Sequence, residues 1–110
     1  EVVSTETVAA GDGSSSAVAL STTSTVSFVT TATDSTHVSL ADGITGQVKI
    51  IVHKTRSNSK NLVITPANFA AGATLTSDEA SRSVTLLFDG TNWQVIAGEI
   101  TGTVEFAIGS

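Results

Sequence analysis

SVTLLFDGTNWQVI, residues 83–96, reads as two short strands joined by a tight turn. Residues 83–88 and 92–97 alternate around Asp89-Gly90-Thr91-Asn92, and Asp-Gly is a favoured hairpin pair because glycine accepts a positive φ without steric cost. The same pattern recurs outward from this hairpin. Upstream, strands are expected at 17–20, 24–31, 36–40, 47–54, 61–65 and 74–76, with a closing strand at 103–108. Pro66 cannot donate to a ladder, so the fifth of these runs should stop there, and Phe69 beyond it is placed to plug one end of the core.

No window shows a convincing 3.6-residue apolar period. The fold expected is therefore all-β: an antiparallel β-sandwich or jelly roll of about eight strands, with an extended N-terminal arm at 1–16 ahead of a β-sandwich domain at 17–110. Parallel α/β folds are set aside because their crossovers would need helices that the pattern does not show. The arm, EVVSTETVAAGDGSSS, can add a strand through Val2, Val3 and Val8 to its own sheet or to a neighbour's. On the longest run, 47–54, Val48, Ile50 and Val52 form the expected inward set, leaving Lys49, Ile51 and His53 outside. With Val29 also placed outward, Ile51 leaves apolar surface that points to an oligomer.

Composition supports sheet. The 110 residues include 18 Thr and 15 Ser, only 14% are charged, and there is no Cys or Met. The missing cysteines exclude disulfides, thiolate chemistry and cysteine-ligated zinc. A net charge of −5 argues against nucleic acid as a sequence-independent partner. No apolar run is long enough to span a bilayer, and no signal-peptide pattern opens the chain, so no membrane partner is expected. Because the chain opens at Glu1 and lacks Met, an initiator residue is expected upstream.

Catalytic motifs are missing. His37 lies near Asp34 and Asp42, but no G-x-S-x-G elbow accompanies them, and His37 with His53 supplies only two of the ligands a structural zinc needs. Asp12, Asp42 and Asp89 each precede glycine, which turn geometry explains without calcium. Neither an enzyme nor a cofactor is expected. Four of the five basic residues, Lys49, Lys54, Arg56 and Lys60, fall in an interval free of acids, a candidate patch for an acidic partner surface or an anionic glycan. The competing explanation is a solvated loop whose lysines guard an edge strand. Trp93 shares a strand face with Val95 and Ala97 and belongs in the core or at a subunit contact.

Three segments, LADGITGQVKIIVHK, LVITPANFAAGATLT and SVTLLFDGTNWQVI, resemble small β-rich structural proteins of tailed phages, over slightly more than half of the chain. That resemblance extends both to capsid decoration (cement) proteins and to modules of tail fibres or tailspikes. It implies a virion location on the outer capsid surface, with the major capsid protein and further copies of the chain, as a homotrimer, for partners. The tail-fibre alternative implies recognition of a host glycan or protein.

Overall fold

The chain winds back and forth between two five-stranded sheets. The computed structural model describes residues 3–32, 36–57, 60–70, 72–98 and 101–102. Val2, Asp34 and the expected strand at 103–108 lie outside the described residues. The strands are β1 (Thr5–Ala9), β2 (Val18–Ala19), β3 (Val26–Thr31), β4 (His37–Leu40), β5 (Val48–Arg56), β6 (Leu62–Pro66), β7 (Leu75–Ser77), β8 (Arg82–Phe88), β9 (Trp93–Gly98) and β10 (Thr101–Gly102). One sheet has the order β1-β3-β5-β8-β9 and the other β10-β7-β6-β4-β2. Among the described residues the only helical element is a 3-10 turn at Ser14–Ser16, and no helix is long and apolar enough to cross a membrane.

The molecule is thus nearly all β, but the sheets are mixed rather than antiparallel. β1–β3, β3–β5, β2–β4 and β4–β6 pair in parallel, whereas β5–β8, β8–β9, β6–β7 and β7–β10 are antiparallel. The physical reason lies in the winding. From β1 to β6 successive strands alternate between sheets, so each chain crossing returns to its own sheet running in its original direction. A strand of the facing sheet does the work a crossover helix does elsewhere, and no helix is required.

Local expectations fare well where turn chemistry decides. β6 ends at Pro66, and Phe69 packs against the core. Asp89 Oδ1 accepts the Thr91 and Asn92 amides at 2.8 and 2.7 Å, and Gly90 has φ 102°, closing β8 onto β9. These bonds, first the Asn92 amide and then the Gln94 side chain, hold the Asp89 carboxyl below the usual aspartate range. Of the destinations open to the arm, β1 occupies the edge of its own sheet, and Ala10 just beyond it is buried in the core.

The faces of the first sheet are the reverse of those expected. Buried on β5 are Lys49, Ile51 and His53, and on β3 Ser27, Val29 and Thr31, with Val29 and Ile51 both at 0% exposure. Val48, Ile50 and Val52 point outward instead. The register with β8 dictates this: Ile51 pairs Val84 and Lys49 pairs Leu86, and β8 turns Val84, Leu86 and Phe88 to the core. A one-residue difference in parity moves every side chain of a strand to the opposite face. The core itself is one cluster drawn from both sheets, including Val38, Leu40, Leu62, Ile64 and Leu75 from the second.

Candidate functional site

Two buried polar networks and one outward face are the features that β5 builds into this fold. Lys49 has no exposed surface, and its ammonium donates to the Ser21 and Ser24 carbonyls at 2.6 and 2.7 Å. Glu6 of β1 lies 3.9 Å from it and accepts bonds from the Ser21 amide at 2.9 Å and the Ser27 hydroxyl at 2.5 Å. Burial pushes the Lys49 pKa below the usual lysine value, and Glu6 partly restores it. The buried charge is tied to the edge strand, which explains how a lysine can occupy a core position.

His53, equally buried, is held between two hydroxyls: Nδ1 is 2.7 Å from Ser77 Oγ and Nε2 is 2.9 Å from Thr31 Oγ1. Each hydroxyl also donates to a carbonyl, Ser77 to Glu79 at 3.0 Å and Thr31 to Lys60 at 2.9 Å. A hydroxyl has one proton, so a neutral ring with a single N–H cannot complete all four bonds. Only an imidazolium would. Burial opposes that charge most strongly, and Arg56 adds to the opposition, so the His53 pKa is depressed below 6.5.

The sign of the pH effect follows. The unfolded chain binds the His53 proton more readily than the folded one, so stability falls as pH drops from the unfolded value of 6.5 through the lower folded pKa. Urea unfolding at pH 7.5 and 5.2 should show a loss approaching about 1.4 kcal/mol per pH unit within that window, smaller in His53→Gln. Equal pH slopes in the two proteins would remove His53 as the cause.

The expected basic patch is only partly a surface. Lys49 is withdrawn from it, because an ammonium capped by two carbonyls inside the core cannot meet a partner. Lys54 is exposed at a bulge in the β3–β5 pairing, with its ammonium 5.7 Å from the centre of the Phe28 ring. Arg56 bonds Asn61 Oδ1 at 3.0 Å, and Lys60 is half-buried with its carbonyl on Thr31. In the arm, Val3 is 51% exposed, whereas Val8 packs against the core.

His37 and His53 stand in different sheets, and His37 bonds Thr36 Oγ1 at 2.7 Å. Among the described residues no group of three or more metal-ligating side chains comes together. A shallow depression of about 390 Å³ on the second sheet, lined by Ala19, Ser39, Leu40, Ala41, Thr65 and Ala67, holds no titratable side chain.

The outward face of the first sheet is the feature that sequence reading missed. Alternating with the buried set, β3, β5 and β8 present Val26, Phe28, Val48, Ile50, Val52 and Leu87 with Thr30, Ser83 and Thr85, and at the bulge end of β5 Lys54 and Thr55 join them, the Lys54 ammonium lying over the Phe28 ring. None of these side chains is acidic, and Lys54 is the one base among them. Val48 is 39% exposed, and the bulge residue Ile96 on β9 is 48% exposed beside them. The signal was the period-two alternation itself, read with the wrong parity. In comparisons with protein families, curated proteins and solved structures, no family model matches the chain and no similar protein or structure is found.

Proposed function

We propose that the chain is a structural protein of a phage particle, a capsid decoration protein that binds the outer shell as an oligomer and stabilises it. The reading starts from the resemblance of LADGITGQVKIIVHK, LVITPANFAAGATLT and SVTLLFDGTNWQVI to such proteins. The structural observation that carries it is the acid-free, largely apolar face on β3, β5 and β8, the composition of a contact surface. The two facing sheets are read as a β-sandwich. On the particle, the major capsid protein is the partner, and the acid-poor stretch with Lys54, Arg56 and Lys60 is the surface suited to an acidic shell.

Copy number tests this reading. A decoration protein repeats over an icosahedral shell, so purified particles should carry on the order of hundreds of copies, scaled against the major capsid protein on stained gels. A tail location limits the count to roughly a few tens. The lower count would replace the decoration reading with a tail module.

A further inference from the structure

We propose that the outward face of the first sheet is buried between copies of this chain, sheet against sheet. The claim concerns the isolated protein and does not require a virion.

The choice of parity on β5 is the first argument. Val48, Ile50 and Val52 are ordinary core residues, yet they point outward while Lys49 and His53 occupy the interior. A lone monomer would leave Val48 exposed and Ile50 and Val52 only half-buried, while obliging the core to satisfy an ammonium and an imidazole. If the outer face is itself covered, both faces of β5 are buried, and the pattern of near-continuous apolar residues along 48–52 is what a strand covered on both sides calls for.

Charge identifies the occupant as a second copy. The chain carries −5 overall, so two copies repel except where acids are absent. The outward positions of β3, β5 and β8 hold no acid and a single base, Lys54, at the bulge end of β5, so the face lacks the acids through which two copies repel. Around it stand Thr5 and Thr7 on β1, Gln94 on β9, and Lys54 at the end of β5. An apolar centre depleted of charge, with a polar rim, is the anatomy of a specific interface.

The area reaches what a specific contact needs. Five strands about 4.8 Å apart and roughly 20 Å long, β3, β5 and β8 with β1 and β9 as the rim, offer a face of about 480 Å². Two such faces bury about 1,000 Å², the size at which specific contacts separate from adventitious ones. Sheets packed in this way sit about 10 Å apart, a spacing that Val, Ile and Leu fill.

Sedimentation equilibrium and light scattering on the purified chain, from about 1 to 100 μM, test the proposal. The chain should weigh a multiple of 11.1 kDa, and Ile50→Lys, at the centre of the face, should return it to 11.1 kDa with an unchanged circular dichroism spectrum. Should the lysine variant fail to fold, Ile50→Thr/Val52→Thr keeps β-branched residues on the strand and should weaken association by about 100-fold or more. A wild-type monomer throughout the range overturns the proposal. So does a folded variant that retains the wild-type mass and affinity.

Discussion

Trp93→Ala should destabilise the domain by about 3–5 kcal/mol, lowering Tm by on the order of 15 °C. Trp93 has no exposed surface and meets Phe88 edge to face with ring centres 5.1 Å apart. Its indole N–H donates to the Ala41 carbonyl at 3.0 Å, its amide donates to Asn68 at 2.9 Å, and its carbonyl receives the Ala70 amide at 3.1 Å. One residue thereby joins the β8–β9 turn to the loops after β4 and β6. The fit is close: a methyl at Gly43 would lie 3.0 Å from the indole ring atoms Cζ2 and Cη2. Deleting the indole leaves a cavity and the Ala41 carbonyl without its donor, while the backbone bonds to the loop after β6 remain. Urea unfolding followed by circular dichroism measures the loss, and a change below about 1 kcal/mol would show that the loops hold themselves.

Glu6→Ala should cost about 2–4 kcal/mol, because it leaves the Lys49 ammonium inside the core without its carboxylate. It also strips an acceptor from the Ser21 amide and the Ser27 hydroxyl. The double variant Glu6→Ala/Lys49→Met separates the buried charge from the seryl hydrogen bonds, since alanine keeps those bonds broken while methionine removes the ammonium. Removing both charges should recover a good part of the loss, since the destabilisation comes from an unpaired buried charge rather than from the worth of the pair itself. A double variant as unstable as Glu6→Ala would place the effect in the seryl hydrogen bonds instead.

The legibility of this sequence followed the range of the interactions concerned. Asp89-Gly90, Pro66 and the Val38/Leu40 alternation act within a few residues, and the hairpin, the end of β6 and the buried face of β4 are where those residues place them. Strand parity was another matter. Along 47–54 both faces carry apolar residues, and counting them favours Val48, Ile50 and Val52. What reverses the choice is remote in sequence: Glu6, Ser21 and Ser24 accommodate Lys49, and Thr31 and Ser77 accommodate His53. Parallel pairing was hidden for a related reason, since a crossover made of a strand leaves no helical period to detect. The basic stretch was legible as composition, but burial divided it, taking Lys49 inward and leaving Lys54 out.

The alternation of β1 to β6 between the two sheets also sets the order in which this chain can acquire structure. Every parallel neighbour in the N-terminal half lies two strands away along the chain, so no pair there closes until an intervening strand has crossed the core. Loop-closure entropy must be met before those contacts return anything, and topologies of this kind fold on the order of milliseconds to seconds. The β8–β9 hairpin is under no such restriction, because Asp89 and Gly90 close it locally. During synthesis the strands made first therefore wait longest for partners, and β5, which pairs with both β3 and β8, is the piece that couples the late hairpin to the early winding.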